Sequence, residues 1–305
     1  MKHVFIANPI AGSGKLDKGL LPKLHAFLKQ TDLDYEIHRT LNKAEVGTYV
    51  RQRASQGDEI RFYACGGDGT ICDVLNGMMG FDNAQIAVYP CGTGNDFVRN
   101  FTNRENFNDF AKLVSGEVIP CDVIRMNERY SLNMLNIGVD SDINEEVHNL
   151  HMKVLGGASY AVAAVKVLSH HKLYRVQYEL DGRQVTEDLM LCAIANGKFC
   201  GGGFKSNPRA KINDGMIDVC MVRPVPYPKL PALLVNYHGG KHLDAPVARP
   251  YITYFQAPHF KLTPLCDLRV TVDGEAEDFH ESDVECLHNA VKLALPAGCA
   301  PIDPV

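Results

Sequence analysis

Short hydrophobic runs alternate with helical patterns up to about residue 120. The runs predict buried strands at Val4–Ala7, Tyr35–His38, Ile60–Ala64 and Ile86–Tyr89. Between them, apolar residues recur at helical spacing over Leu16–Leu28, Ala44–Ala54 and Thr70–Met79. Strands that alternate with helices of this length are typical of βαβ units with a parallel sheet. The pattern therefore predicts an α/β domain, which we place at residues 1–125.

The remainder, residues 126–305, is mostly predicted strand. Val118–Met126 and Tyr130–Val139 flank a tight turn, and a helical stretch follows over Asn144–His170. An Asp181-Gly182 pair then gives a hairpin signature. Further strands are predicted at Leu189–Ala195, Met216–Val222, Ile252–Phe255, Phe260–Leu262, Leu268–Val272 and Val291–Leu295. This second part is predicted to be an antiparallel β domain.

Composition excludes several classes of protein. Hydrophobic residues make up 46% and charged residues 22%, which is ordinary for a globular chain and excludes disorder, collagen and coiled coil. The net charge of −5 lacks the basic footprint of a dedicated nucleic-acid binder. No segment approaches the ~20 apolar residues that cross a bilayer. We therefore expect a cytoplasmic protein without a transmembrane segment. Because the cytosol is reducing, its cysteines are expected to be free thiols.

Three glycine-rich turns concentrate unusual residues, and each follows a predicted strand. They are Asn8–Lys15, Gly66–Thr70 and Pro90–Phe97. Because the carboxyl ends of parallel strands meet at one edge of the sheet, a ligand site is expected there. Glycines let backbone amides approach a phosphate, and a helix N-terminus adds a favourable dipole. The simpler alternatives are a tight strand–helix connection at the first turn and an N-cap at Asp68.

The motifs NPIAGSG, GGDGT and PCGTGNDF, in this order, resemble the catalytic domain of the diacylglycerol kinase and sphingosine kinase superfamily. The soluble bacterial lipid kinases are the most similar branch. The resemblance spans nearly the whole chain, because it continues at Asn196-Gly197, Gly201–Phe204, Pro208, Asp214-Gly215 and Asp273–Glu275. GGDGT alone is weaker, since NAD kinases share it.

The resemblance implies a first domain like those of phosphofructokinase and NAD kinase, and a β-sandwich-like second domain. It implies that the lipid approaches between the two, and that residues after Leu295 pack back onto the first. The implied reaction transfers the γ-phosphate of ATP, with Mg²⁺, to the hydroxyl of a lipid at the membrane surface, with diacylglycerol as the leading acceptor. A homodimer is left open. The alternatives are a kinase for NAD or another soluble acceptor, and a nucleotide-binding regulator without catalysis.

The resemblance also implies roles for particular residues. Nucleotide contacts are expected at Asn8, Pro9, Ile10, Ala11, Gly12, Thr40, Gly66, Gly67, Asp68, Gly69, Thr70, Ile71, Cys72, Thr93 and Asn95. Ala11 departs from the serine that relatives often have. The catalytic candidates are Asp68, on a metal or hydroxyl, and Glu275 as proton acceptor, with Asp273 as the other choice.

Two of these assignments have simpler alternatives. Asp273 and Glu275 would share one side of an extended chain, but Asp-Gly is also a turn signal. The resemblance also implies a second Mg²⁺, held by the Asp214 side chain and the carbonyls of Lys211 and Met216. Oxygen ligands suit Mg²⁺, although the same segment could be only a turn before a strand.

Overall fold

The computed structural model describes residues 1–8, 19–40, 43–138, 172–180, 182–280 and 282–303. The chain divides into two compact units. The first comprises Met1–Cys121 and Asn289–Pro304, and the second comprises Asp122–His288. The predicted helix over 144–170 and the nucleotide contacts expected at 9–12 lie outside the described residues. Among the residues described, no helix combines the length and apolar character needed to cross a membrane.

The first unit contains the predicted parallel sheet. Its strands are β1 (Lys2–Ala7), β2 (Tyr35–Arg39), β3 (Ile60–Gly66) and β4 (Ala84–Pro90). They lie side by side in the order β2-β1-β3-β4, and every pair is parallel. From β1 the chain first adds β2 on one side, and it then returns to add β3 and β4 on the other side. This reversal places a topological switch point between β1 and β3, where open α/β sheets bind ligands.

Helices accompany these strands, and the periodicity predicts the first three of the four. They are α1 (Leu21–Leu28), α2 (Lys43–Ala54), α3 (Asp68–Met78) and α4 (Phe110–Ser115). Every residue of β3 is buried, as expected for a central parallel strand covered on both faces. On one face, alternate strand residues such as Phe5 and Tyr63 pack against Leu24 and Leu28 of α1 and Phe110 of α4.

The C-terminal segment is part of the first unit. The last strand, numbered β16 below (Ser282–Ala294), ends with Lys292–Ala294 paired parallel to β4. The residues that follow bond to the segment after β4: Thr102 N donates to Ala300 O at 2.8 Å, and Ile302 N donates to Asn100 O at 2.9 Å. The unit is therefore assembled from both ends of the chain.

The second unit is built on an antiparallel sheet in the order β12-β11-β10-β7-β14-β15. These strands are β7 (Met134–Gly138), β10 (Leu191–Ala195), β11 (Ile217–Val222), β12 (Ile252–Ala257), β14 (Leu268–Val272) and β15 (Glu275–Phe279). Further pairings join β5 (Val118–Met126) to β6 (Arg129–Ser131), β8 (Tyr174–Leu180) to β9 (Arg183–Leu189), and β13 (His259–Pro264) to β8 and β16. The predicted antiparallel, sandwich-like domain is confirmed.

Two local predictions need correction, and one helix was not predicted. The single strand predicted over Tyr130–Val139 is two strands, β6 and β7, because the intervening backbone turns to bond the Asp273 side chain. The strand predicted over Leu189–Ala195 is likewise broken at Met190. A helix, α5 (Leu230–His238), occupies a region where the sequence pattern predicts no element. Its prolines lie before and at the first turn, where they favour a helix.

Two buried histidines make stability depend on pH. His242 is fully buried, with Nε2 3.7 Å from Cys220 Sγ, and burial lowers its pKa to about 4. His3, whose Nδ1 lies 2.7 Å from Tyr63 Oη, also has its pKa lowered to about 4, chiefly by burial. Both rings are therefore neutral in the folded protein at pH values where they are protonated in the unfolded chain.

We expect the free energy of unfolding to fall as pH drops from about 6.5 to about 4, because only the unfolded chain takes up these protons. Each histidine can contribute roughly 3 kcal/mol to this loss. The measurement is denaturant unfolding across this pH range. His242→Gln should flatten the dependence, whereas His25→Gln, at an exposed site, should leave it as in the wild type. Equal slopes in all three proteins would contradict the assignment.

Candidate active site

The carboxyl ends of β1, β2 and β3 lie next to one another. Asn8 N donates to Cys65 O at 3.2 Å, which joins the end of β1 to the end of β3. Thr40 N donates to Ala7 O at 3.1 Å, which places Thr40, itself buried, directly beyond β2 on the other side of β1. The strand ends predicted to share one edge of the sheet therefore do so.

The second glycine turn leads directly into helix α3. Gly67 is the N-cap, in an extended conformation, and its carbonyl accepts from Thr70 N at 2.9 Å and Ile71 N at 3.2 Å. The first amides of a helix have no intrahelical partner, so they can receive an anion. Asn8 Nδ2 also donates to Thr70 Oγ1 at 3.1 Å, which fastens the end of β1 to this helix start.

Asp68 fastens the third turn to the same helix start. Its two carboxylate oxygens accept from Asp96 N and Phe97 N, each at 3.3 Å. Burial raises the pKa of the Asp68 carboxyl, although these amide hydrogen bonds favour its charged form. The third turn is further held by Arg99, which pairs with Asp96 at 3.2 Å and donates to Gly94 O at 3.3 Å. The simpler interpretation of Asp68 as the N-cap is therefore wrong: Gly67 is the N-cap, and the Asp68 carboxylate instead holds a segment that is distant in the chain.

Some glycines here are required by contacts within the protein. A Cβ on Gly66 would lie 2.1 Å from Thr70 Oγ1, and one on Gly92 would lie 2.4 Å from Gly67 Cα. A Cβ on Gly67 would lie 3.2 Å from Gly92 Cα. The second and third turns therefore touch backbone to backbone. The glycine run is explained by this close approach, whether or not a phosphate also needs the space.

The expected nucleotide contacts differ in what their side chains can offer. Thr93 is exposed at the tip of the third turn. Asn95 has a positive φ of 51°, and its amide bonds both Gly92 N and Gly92 O at 2.9 Å, so it shapes the turn. The side chains of Ile71 and Cys72 are buried in the core, so a ligand could meet only their backbone.

In the second unit, Asp273 and Gly274 form a two-residue hairpin turn between β14 and β15. Their φ values, 44° and 93°, are both positive, as in a type I′ turn. Asp273 is 5% exposed. Its carboxylate accepts from Ser131 Oγ and from the backbone amides of Leu132, Asn133 and Met134, at 2.7, 3.1, 3.2 and 3.0 Å. The acid expected on an extended chain beside Glu275 is therefore a buried turn residue that holds the chain between β6 and β7.

Glu275, the first residue of β15, has a different environment. Its side chain is 21% exposed, and Oε2 lies 4.0 Å from a terminal nitrogen of Arg129. Arg129 also contacts Glu277, through Nε at 3.5 Å from Oε2. Of the two acids in the motif, Glu275 is the one whose carboxylate solvent or a substrate can reach.

Oxygen atoms gather around the Asp214 turn. Asp214 Oδ1 accepts from Met216 N at 3.1 Å. The adjacent Gly215 N donates to Asp122 Oδ2 at 2.7 Å, and the other oxygen of this buried carboxylate lies 2.9 Å from His288 Nδ1. Burial raises the pKa of Asp214, and the negative charge of Asp122 raises it as well.

These residues fit a magnesium ion. The buried Asn213 Oδ1 has no hydrogen-bond partner among the described residues, which leaves an oxygen donor unused. One carboxylate and neighbouring carbonyls are ligands that Mg²⁺ accepts while it keeps several waters. No cluster of three His, Cys, Asp or Glu side chains suited to a metal occurs in the described ranges, so carbonyls and water would have to complete the shell.

Both units match known families. Residues 2–126 match the diacylglycerol kinase catalytic domain. Residues 133–295, more than half of the chain, match the YegS C-terminal NAD kinase beta sandwich-like domain. The chain belongs to the bacterial diacylglycerol and lipid kinase family. The resemblance seen in the glycine motifs is confirmed, and membership of a kinase family implies ATP as the phosphoryl donor of this enzyme.

Individual relatives share only about a quarter of their residues with this kinase, but the similarity covers most of each chain. It is 28% identical over 271 residues to a probable lipid kinase YegS-like of Alcanivorax borkumensis, covering 86% of this chain and 87% of that one. It is 25% identical to the diacylglycerol kinase of Bacillus subtilis, over 95% of each chain. A crystal structure of a putative diacylglycerol kinase from Bacillus anthracis superposes with a TM-score of 0.75, at 26% identity and 96% coverage of each chain.

Sequence reasoning missed several residues that surround the candidate residues Glu275 and Asp214. Asp122 and Arg129 stand in ordinary strand patterns with no motif around them. Lys198 is buried, and its Nζ donates to Pro208 O at 3.0 Å and Ala210 O at 2.6 Å, which fixes the segment leading to Asp214. The one signal available was the cost of placing a charge at a strand position predicted to be buried, as at Asp122.

We expect Gly92→Ala to destabilise the kinase by about 2 kcal/mol or more, because the new Cβ must displace the backbone of Gly67. The measurement is the midpoint of denaturant unfolding. Gly19→Ala is the matched control, since nothing lies within 4 Å of a Cβ there. If both variants unfold like the wild type, the two turns are not in rigid contact.

Proposed function

We propose that this kinase transfers the γ-phosphoryl group of ATP, in an Mg²⁺-dependent reaction, to the hydroxyl of diacylglycerol and so forms phosphatidate. The observation that carries the proposal is the meeting of the end of β1, at Asn8, with the second and third glycine turns around the N-terminus of α3, at the switch point of the parallel sheet. Phosphoryl transfer needs phosphates held in position and their charge neutralised, more than it needs covalent work by the protein. The site offers backbone amides for that task.

The nucleotide is proposed to bind along these turns. The contacts would come from the segment 8–12, Thr40, the segment 66–72, and Thr93, with Asn95 shaping the third turn. The Asp68 carboxylate is proposed to serve the Mg²⁺ of the nucleotide or the acceptor hydroxyl. When bound, that Mg²⁺ neutralises phosphate charge. Asp68 also keeps the third turn against α3, so its loss would affect more than one task.

Glu275 is proposed as the general base. An alcohol is a poor nucleophile at neutral pH, and a carboxylate within hydrogen-bond reach can take its proton as the new bond forms. Asp273 is proposed as a positioning residue, because its carboxylate is occupied by a hydroxyl and three amides. The type I′ turn that it stabilises sets where β15, and therefore Glu275, begins.

Activity is proposed to take place in the cytoplasm, at the membrane surface where the lipid lies. The direct experiment supplies labelled ATP and Mg²⁺ with diacylglycerol, monoacylglycerol, phosphatidylglycerol or sphingosine in detergent micelles, and with NAD in solution. Label is expected in phosphatidate. Transfer to NAD alone would replace the lipid kinase with a soluble-acceptor kinase, and nucleotide binding without transfer to any acceptor would indicate a regulator.

Glu275→Gln keeps the side-chain shape and removes its basicity. We expect kcat to fall by about 10²–10⁴, with a much smaller change in the KM for ATP. Glu277→Gln is the matched control, because Glu277 stands on the same strand and contacts the same arginine. The measurement is steady-state transfer to diacylglycerol.

The control separates two explanations. A base role requires that Glu277→Gln stays near wild-type kcat. Equal losses in both variants would mean that the effect passes through Arg129, and an unchanged kcat in Glu275→Gln would remove it as the base.

A second Mg²⁺ is proposed on Asp214, with the carbonyls of Lys211 and Met216. Asp214→Asn should then raise the Mg²⁺ concentration needed for full activity, beyond what saturates ATP, and leave the KM for ATP unchanged. Asp244→Asn, at an exposed acid, should have no such effect. One Mg²⁺ saturation curve, identical for all three proteins, would contradict this site.

A further inference from the structure

Helix α5 has an outward face that is unusual for a helix on a protein surface. Leu230, Leu233 and Tyr237 are buried against the second unit. The opposite side is exposed, and Val235 is 74% exposed. The whole helix, LPALLVNYH, contains no Asp, Glu, Lys or Arg. Surface helices normally carry charges on the solvent side, as α2 does with Arg51, so this helix lacks the polar face expected of it.

The exposed apolar area continues beyond the helix. Tyr227, in the turn that leads into α5, is 57% exposed. Pro231, Ala232 and Val235 follow at positions that share the side opposite to the buried residues. We call Tyr227, Pro231, Ala232 and Val235 the α5 face. An aromatic ring with a polar tip beside aliphatic side chains is the composition found where proteins meet the surface of a bilayer.

Basic residues stand at both ends of this face. At its start, Lys229 Nζ donates to Tyr251 Oη at 2.9 Å, and Arg249 lies two residues before that tyrosine. Beyond its end, Lys241 N donates to Asn236 O at 2.8 Å. All three cations are exposed. The α5 face is therefore bordered by positive charge along the direction of the helix.

The charge of this region is opposite to that of the whole chain. Between Arg223 and Tyr251 there are four basic residues and one acidic residue, a net charge of +3, whereas the chain carries −5. The described ion pairs here are Arg223 with Glu187 and Asp244 with Arg209. They leave the three border cations without an acidic partner among the described residues.

We propose that the α5 face docks this kinase onto the surface of an anionic membrane. The apolar side chains would enter the boundary between headgroups and acyl chains, while the border cations contact lipid phosphates. A second copy of the chain is a poorer occupant. A two-fold contact through this face would bring the cations of one copy against those of the other, with no described acid between them.

The biological role of this docking rests on the proposed lipid-kinase function, but the binding experiment does not depend on it. The probe is a vesicle of equal parts phosphatidylcholine and phosphatidylglycerol, without diacylglycerol or ATP, compared with phosphatidylcholine alone. Flotation should recover the wild type with anionic vesicles only, and added salt should weaken the binding. Equal recovery with neutral vesicles would overturn the charge part of the proposal.

Substitutions locate the contact. Val235→Glu should weaken binding by at least about ten-fold, since it places a charge in the interface. Lys229→Glu and Lys241→Glu should each weaken it by about thirty-fold, at ~1 kcal/mol for each unit of charge. Leu265→Glu, at a residue 49% exposed elsewhere in the second unit, and Lys23→Glu, with the same change in net charge, should bind like the wild type.

Activity and association distinguish the remaining outcomes. With a short-chain diacylglycerol dissolved as monomers, Val235→Glu should match the wild type, whereas long-chain diacylglycerol in anionic vesicles should be phosphorylated more slowly. Wild type that binds vesicles but phosphorylates no lipid would remove the proposed function and leave the docking surface. Unchanged vesicle binding by Val235→Glu would overturn the docking surface. If sedimentation also shows a dimer for the wild type and a monomer for this variant, the face is a contact between copies of the chain.

Discussion

The contact between Gly67 and Gly92 is the constraint on which the candidate nucleotide site depends. It allows two turns, each leaving the carboxyl end of a different strand, to touch along their backbones. Side chains are excluded from that contact, so the amides of both turns stay close to one another. Asp68 then joins the turns by two hydrogen bonds, and Asn8 joins the helix start to the first strand. The conformational cost of several glycines is offset by a compact set of backbone donors.

The second unit depends on a different device, a buried carboxylate that organises the backbone. Asp273 accepts from a hydroxyl and three consecutive amides, so the break between β6 and β7 and the turn before β15 are held by one side chain. An unpaired carboxylate in this position would be costly, and these four donors satisfy it. Glu275, two residues later, remains partly exposed. Two acids of one short motif thus have separate tasks, one structural and one available for chemistry.

An enzyme that acts on a lipid must present a surface to the lipid phase, and net charge describes that surface poorly. The chain as a whole is acidic, yet the residues around α5 are basic and apolar together. Electrostatic attraction falls off within about 10 Å at moderate salt, so the local charge at a contact matters more than the sum over the molecule. The −5 total is therefore compatible with binding to anionic lipid.

The sequence by itself determined the parallel strands, the helices between them, the glycine turns at their ends and the family, because these depend on local periodicity and on short motifs. It left open whether Asp273-Gly274 forms a turn, or whether Asp273 and Glu275 lie on one side of an extended chain as two candidate bases. Both arrangements have the same local pattern. Only the tertiary structure brought Asp273 to the amides of residues 132–134, and Asp122 to the Asp214 turn. It also decided that α5 has an uncovered apolar side. Each of these features depends on residues far apart in the chain, and no window along the sequence contains both partners.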